Sequence, residues 1–349
     1  MKVVDEYLVC VRCMTYNHIN YIKDALHGFV IQQTSFPFVC AIIDDASTDG
    51  GQKVVKEYLR ECFDLQDSSV AYEKDTEYGH VTLARHKTNK NCYFAVIYLK
   101  ENHYSQNKSK APYLTEWMDT KYVALCEGDD YWTDPLKLQK QVDILEADET
   151  LMAVVTNTKV VDKEGNELKE KQDNVVPNNK QGRYDLRNFI NNVHHYPTAT
   201  VCYRRIHMDE IEKMRRHTAN PYLGDWTLWI CLHIFGDFYY LDEVTSAYRI
   251  NPTSVTHTCD RVGRAKAHWT ICKAVQDILP NEYDDLRKRL NDTSWMWIEL
   301  AFAYKHEHQY IRMLWCFFVA FVKKPKGLID DYKISKTNKI LNSYLAKMR

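Results

Sequence analysis

Glycine and proline are scarce. The chain of 349 residues holds eleven glycines and nine prolines, about half the usual combined share of roughly 12%, so long flexible linkers are not expected. No Gly-x-Gly triplet occurs, which excludes the dinucleotide fingerprint, and no glycine-rich phosphate loop of the Walker type is present. An excess of one charge is also missing. Lys and Arg number 46 against 47 Asp and Glu, for a net charge of −1, which leaves no basic footprint for nucleic acid. The longest apolar run, Met313 to Val322, has ten residues where a membrane span needs about 20. Met1 to Glu6 carries no apolar core of a secretory signal.

What is present is ordinary for a globular chain: 45% hydrophobic and 27% charged residues, with length for one large or two modest domains. Twenty-four tyrosines provide flat faces with a polar handle, suited to a core and also to stacking on sugars or bases. The eleven cysteines are odd in number and scattered, mostly inside apolar runs such as Phe38 to Ile43. Buried free thiols in a reducing, cytoplasmic compartment are expected. Cys10 and Cys13 form one CxxC, but no second pair completes a zinc site, and residues three apart on a strand face opposite ways. The ten-residue run at 313–322 is flanked by Arg312, Lys323, Lys324 and Lys326. It fits either a core helix of a C-terminal bundle or a helix lying at a membrane surface as a peripheral contact.

The first half alternates strand and helix. Tyr7 to Met14 and Phe38 to Ile43 predict strands buried on both faces. Helical spacing of Ile22, Leu26, Phe29 and Val30, then of Val54, Val55, Tyr58 and Leu59, predicts helices after each, the second capped by Thr48 or Asp49. A short strand is expected near Ser69 to Glu73. Tyr93 to Leu99 fits a strand or a buried helical turn, and Glu101 to Lys110 a polar loop. Lys121 to Cys126 predicts a strand and Asp134-Pro135 the start of a helix. Beyond it, Met152 to Val161, Tyr196 to Arg204 and Asp237 to Asp242 read as strands, Gln172 to Arg183 as a polar loop and Leu223 to Phe235 as a helix. Only helical patterns follow Asp260. The rhythm implies an α/β layered, Rossmann-like mixed sheet.

In such a sheet, ligands bind beyond the carboxyl ends of the strands. Three polar clusters stand there: Thr15-Tyr16-Asn17-His18, Asp44 to Gly50, and Glu127-Gly128-Asp129-Asp130-Tyr131-Trp132. With no glycine cradle for a diphosphate, Glu127, Asp129 and Asp130 point to a divalent cation bridging carboxylates and phosphate oxygens, as Mg²⁺ does. Alternation directs Glu127 and Asp129 the same way. Asp45, Ser47, Asp49 and Gly50 mimic the start of an EF-hand loop, but its last ligand would be Lys56, which fails. The Asp44-Asp45 pair is better suited to accept hydrogen bonds from a base or ribose.

The series TYNH (Thr15 to His18), DDASTDG (Asp44 to Gly50) and EGDDYW (Glu127 to Trp132), followed by GDWTLW (Gly224 to Trp229) and YRINPTS (Tyr248 to Ser254), resembles the bacterial family 2 glycosyltransferases of GT-A fold over roughly residues 5–257. The resemblance implies a GT-A-like domain at 1–257 and a helical region at 258–349. It implies nucleotide contacts from Thr15, Tyr16, Asn17, Asp44, Asp45, Ser47 and Asp129. Metal contacts to Mn²⁺ or Mg²⁺ would come from Asp129 foremost, with Glu127 and Asp130. Glu127 replaces the family's first Asp, and Gly224-Asp225 replaces its Glu-Asp pair. Asp225 would be the general base, and Trp226, Trp229, His195 and Thr198 the acceptor side, with Arg249 near the diphosphate. The implied reaction is inverting transfer from a nucleotide-sugar, foremost a UDP-sugar, to a hydroxyl of a glycan or lipid-linked acceptor, as in polysaccharide biosynthesis. A glycoside hydrolase needs no metal cluster. A sugar nucleotidyltransferase should show a glycine-rich N-terminal loop, and a non-catalytic nucleotide-sugar-binding module would tolerate loss of Asp225.

Overall fold

Three apolar runs of matching polarity fix the centre of the sheet. Strand β1 (Val9–Thr15) pairs in parallel with β2 (Phe38–Asp44), from Val9↔Phe38 to Thr15↔Asp44. On its other side it pairs in parallel with β6 (Tyr122–Leu125), from Val9↔Tyr122 to Arg12↔Leu125. Beyond β2 lies β5 (Cys92–Leu99), also parallel. Every residue of β2 and β5 is buried, and burial on both faces is why these strands read as unbroken apolar runs. The stretch that fitted either strand or helix is therefore a strand. The computed structural model describes residues 7–175, 180–192, 196–218, 224–251 and 260–323.

A hairpin of β3 (Ala71–Asp75) and β4 (Gly79–Arg85) extends the sheet antiparallel beyond β5. On the opposite side, β10 (Val201–Arg204) lies antiparallel between β6 and β8 (Leu151–Val161). Then comes β11 (Asp237–Arg249), parallel to β8, which carries the two short strands β7 (Tyr131–Trp132) and β9 (Gly182–Tyr184). The order is β3-β4-β5-β2-β1-β6-β10-β8-β11-β7, with β9 added on β11. Helices α1 (Ile22–Val30), α2 (Gly51–Cys62) and α3 (Lys137–Ala147) cover one face through Leu26, Phe29, Val55, Leu59, Leu138 and Val142. Cys13 faces this layer, while Cys10 faces the opposite one with Val39 and Ile43, as the period of two requires. The ten cysteines among the described residues are free thiols.

The chain departs from its sequence pattern at three places. Part of 172–183 is ordered as helix α4 (Lys169–Val175) and strand β9, and α4 is held against β8 by Gln172, whose side chain bonds Val160 N and Thr158 O. The strand expected from Tyr196 begins only at Val201, after a 3₁₀ turn at Thr198–Thr200. Strand β11 runs on past Asp242 to Arg249 through register shifts at Leu241/Val244 and Val244/Ser246. Such bulges break the alternation by which strand length is read.

The second face is covered by α5 (Leu186–Asn192), α6 (Met208–His217) and α7 (Gly224–His233), with α8 (Arg261–Ile278), α9 (Asp284–Asn291) and α10 (Ser294–His306) joining the same core, while α11 (Tyr310–Lys323) packs on α10 and α8 in a cluster of its own. Ile271, Cys272, Val275, Leu286 and Met296 share one core with Val155, Trp229 and Phe238 of the sheet side. The hydrophobic core therefore runs unbroken from the sheet into the C-terminal helices.

One backbone crossing fixes how closely α1 meets the strand pair. A Cβ at Gly28 would lie 2.7 Å from the amide nitrogen and 2.8 Å from the carbonyl oxygen of Trp132. Backbone cannot rotate aside as a side chain can, so Gly28→Ala should destabilise the fold by about 1–3 kcal/mol. Urea denaturation measures it, and an unchanged midpoint would contradict the crossing.

Candidate functional site

The ends of β1, β2 and β6 converge because the three strands are neighbours in register. After β1, Asn17 takes a left-handed conformation (φ 55°), and after β2 so does Ala46 (φ 60°). These reversals lay the two loops side by side. Asn17 N donates to Ser47 Oγ at 2.9 Å, Thr48 N donates to Asn17 Oδ1 at 2.8 Å, and Ile19 N donates to Asp49 Oδ2 at 2.8 Å. Asp49 also accepts the Gly51 N–H at 2.8 Å, but the N-cap of α2 is Gly50 (φ 95°) with no side-chain cap bond, so the cap expected at Thr48 or Asp49 is corrected to the glycine that follows them. Tyr16 projects outward, 43% exposed.

The third loop continues along β1 beyond the paired residues: Cys126 N donates to Arg12 O and Gly128 N to Met14 O. A Cβ on Gly128 would sit 2.8 Å from Thr15 Oγ1 and 3.1 Å from His18 Nδ1, so glycine lets this loop press against the β1 end. Asp45 N in turn donates to Thr15 O at 3.0 Å. Thr15 is thus the contact point of all three clusters.

Within this arrangement the acidic residues separate by role. Asp44, buried, accepts Ser47 N at 2.8 Å and Gln52 Nε2 at 2.6 Å. Asp45, also buried, accepts His103 N at 2.7 Å, Tyr104 N at 3.0 Å and Lys110 Nζ at 2.9 Å. Burial alone would raise the Asp45 pKa; the bonds from His103, Lys110 and Tyr104 outweigh it and hold the carboxyl below its usual value. The polar loop at 101–110 therefore docks onto Asp45, aided by Asn102 Nδ2 on the Asp45 carbonyl. Nothing in the sequence marks Lys110 or His103 for this task except the polarity of that loop.

Glu127 turns inward. Its carboxylate accepts Met14 N at 3.3 Å. Burial pushes its pKa up to about 7, against the pull of the Arg12 guanidinium and with the help of Asp129. Asp130 also turns inward and accepts Arg249 N at 2.8 Å; burial and then the Asp129 charge push its pKa well above the ordinary carboxylate value. Asp129 keeps a partly exposed carboxylate, 3.9 Å from His18 Nε2. The Nδ1 of His18 is buried with no hydrogen-bond partner. No group of three His, Cys, Asp or Glu side chains able to hold a metal forms among the described residues. The expected trio of ligands is thus corrected for Asp130, which is committed to the backbone of β11. One available carboxylate still fits Mg²⁺ or Mn²⁺, which commonly takes one or two carboxylates and fills its shell with phosphate oxygens and water.

Arg249 is a second correction. Its side chain is 3% exposed and every guanidinium nitrogen is engaged: Nε with Asp129 O, one terminal nitrogen with Lys163 O and the other with Asp24 at 2.6 Å. It lies over the rings of Tyr21 and Tyr131. It holds the loop: with its side chain buried and all three nitrogens bonded within the protein, its main part here is structural. Trp229, fully buried in the core, is likewise no acceptor contact.

Asp225 begins α7, half-buried, and its carboxylate accepts the Trp226 N–H at 2.8 Å, favourable at a helix N-terminus. No hydrogen bond or ion pair among the described residues joins it to Asp129. Thr198 is partly exposed on a turn tied to the third loop by Trp132 Nε1 donating to Ala199 O at 2.9 Å. His195 lies outside the described residues, as do residues 252–254 of the YRINPTS stretch. Trp226 stacks edge-on against His268, centroids 5.1 Å apart, and His268 pairs with Glu299 at 3.0 Å. Neither residue carries a signal in the sequence.

No family model matches the chain. It is 30% identical over 253 residues to the uncharacterized protein Rv1520 of Mycobacterium tuberculosis, an alignment spanning 70% of this chain and 59% of that protein. It is 29% identical over 141 residues to TuaG of Bacillus subtilis, which bears the name of a teichuronic acid biosynthesis glycosyltransferase, with 40% of this chain and 42% of that one covered. Among solved structures, S. aureus TarS 1–349 in complex with UDP-GlcNAc superposes with TM-score 0.52 at 14% identity, covering 97% of this chain and 92% of that one. The mannosyltransferase PcManGT of Pyrobaculum calidifontis, in complex with GDP-Man and Mn²⁺, gives 0.52 at 13% identity, with coverage of 99% and 87%. The mixed sheet flanked by helices is a GT-A-like glycosyltransferase fold.

The His268–Glu299 pair makes a pH dependence calculable in sign. Burial alone would lower the His268 pKa, but bonding to Cys272 and Glu299 raises it to about 10. The folded chain then holds a proton that the unfolded chain releases near 6.5. Stability from this pair is full below about pH 6.5 and declines as pH rises toward about 10. Glu299→Gln should cost about 1 kcal/mol at pH 6 and flatten this decline, measured by chemical denaturation across pH. An equally steep decline in the variant would remove the pair as its source.

Proposed function

We propose that this chain is a glycosyltransferase that moves a sugar from a nucleoside-diphosphate donor, foremost a UDP-sugar, to a hydroxyl of a glycan or lipid-linked acceptor, with inversion. The observation that carries this reading is the meeting of three polar strand ends at Thr15, with the partly exposed Asp129 beside an exposed Tyr16. That similarly folded proteins are known in complex with UDP-GlcNAc and with GDP-Man and Mn²⁺ supports a nucleotide-sugar as the donor. Thr15, Tyr16, Asn17, Ser47 and the Asp44-Asp45 pair would line the nucleotide side. Since both Asp side chains are engaged internally, their part is to shape the pocket as much as to touch the base. The chemistry is assigned to residues 1–257 and a supporting role to 258–349, whose helices α8 to α10 share a core with α7.

Asp129 would hold Mn²⁺ or Mg²⁺, with Glu127 behind it. When bound, such a cation supplies Lewis-acid stabilisation of the departing diphosphate. Asp225, at the head of α7, would accept the proton of the acceptor hydroxyl as the new glycosidic bond forms on the face opposite the leaving group. Trp226, Thr198 and His195 would border the acceptor. The buried free thiols support a reducing, cytoplasmic setting.

Asp225 separates cap from base. Asn keeps an oxygen to accept the Trp226 N–H and loses only the charge at the helix N-terminus, about 0.3–1 kcal/mol, so Asp225→Asn should melt within a few degrees of wild type, bind UDP normally and transfer sugar at least about 100-fold more slowly. Release of UDP from a panel of nucleotide-sugars measures this; near-normal transfer by the folded variant would exclude Asp225 as the base. Asp129→Ala should weaken UDP binding in the presence of Mn²⁺ by at least about tenfold and leave the melting temperature almost unchanged. Titration calorimetry with and without chelator reads the affinity and a thermal melt the stability, and chelator-independent UDP affinity in wild type would sink the metal assignment.

A further inference from the structure

Helix α11 presents an apolar face that nothing among the described residues covers. Its inner side is packed: Cys316 and Ala320 are buried, and Met313 and Phe317 rest on a cluster that includes Val262, Leu300 and Ala301. Its outer side carries Ile311, Leu314, Trp315, Phe318, Phe321 and Val322, each between 53% and 86% exposed. A surface helix ordinarily turns polar residues to this side, and a contiguous apolar patch marks an interaction surface.

Charge identifies the occupant. Between His308 and Ile329 the chain has no Asp or Glu but has Arg312, Lys323, Lys324 and Lys326, in a protein whose overall net charge is −1. A second copy using the same face would bring only cations against cations, since a two-fold interface pairs like with like. The remaining sequence, 327–349, carries five Lys and Arg against two Asp, so its net charge has the same sign as this segment's. An anionic surface with an apolar interior matches both halves of the pattern. No described helix is long and apolar enough to cross a membrane. A helix of 14 residues with one apolar side and basic ends is suited to lie in the plane of the headgroups, with Trp315 at the level aromatic rings favour.

We infer that α11 is a membrane-surface helix that docks the protein onto anionic phospholipid bilayers through Leu314, Trp315 and Phe318, with Arg312 and Lys323 on the headgroups. The inference does not rest on the transfer reaction. The full chain should co-sediment with vesicles of phosphatidylcholine containing about one third phosphatidylglycerol, at least about tenfold better than with phosphatidylcholine alone, and less at high salt. The double variant Leu314→Glu/Phe318→Glu should lose at least about tenfold in partition with an unchanged melting temperature, because both side chains are exposed in the fold. Lys323→Glu/Lys324→Glu should abolish the preference for anionic vesicles. Failure of the wild-type chain to bind either vesicle would overturn the inference. So would a dimer in sedimentation velocity that the Leu314/Phe318 variant dissolves, or binding by that variant equal to wild type.

Discussion

A single buried guanidinium holds the candidate site in shape. Arg249, at the end of β11, bonds the Asp129 carbonyl, the Lys163 carbonyl and the Asp24 carboxylate of α1, while its own amide occupies Asp130. It joins four parts of the chain far apart in sequence. Guanidinium suits this because its planar fork offers several donors in fixed directions and keeps its charge when buried. With the backbone at Asp129 clamped and Asp130 drawn inward, the Asp129 side chain is left as the loop's outward carboxylate. The loop's other support is steric, since Gly128 allows it to lie against Thr15 and His18.

The acidic residues thereby divide into a scaffold and a working group. Asp44, Asp45 and Asp130 are buried and spend their oxygens on backbone N–H groups, on Gln52 and on Lys110. Buried carboxylates persist only when satisfied in this way. Asp45 has a particular consequence: it recruits the 101–110 loop to the end of β2, which gives the long excursion before β6 a structural purpose. Glu127 is intermediate, beneath Asp129 and beside Arg12, with burial raising its pKa to about 7.

The C-terminal helices are coupled to the sheet by packing. Ile271, Cys272 and Val275 of α8 join the core that holds Trp229 of α7, and the His268–Glu299 pair lies against Trp226, next to Asp225. The start of α7 is therefore braced by residues more than forty positions later. Helix α11 belongs to the same bundle on its inner side and differs from the others in what it leaves uncovered.

The sequence by itself determined the layered α/β class, the central strands, the polar strand ends and the helical finish, because the periods of two and 3.6 and unbroken apolar runs are local properties. It also determined that Cys10 and Cys13 face apart. Tertiary structure decided the rest. The identity of Tyr93–Leu99 as a strand depends on β2 and β4 lying on either side of it. The extension of β11 past Asp242 depends on bulges that its pairing with β8 absorbs. Asp129 and Asp130 are adjacent and chemically alike, and only the backbone of Arg249, 119 residues from Asp130, separates the carboxylate that stays available from the one that is buried. Which polar residue works and which supports is set by partners distant in the chain, and periodicity carries no information about them.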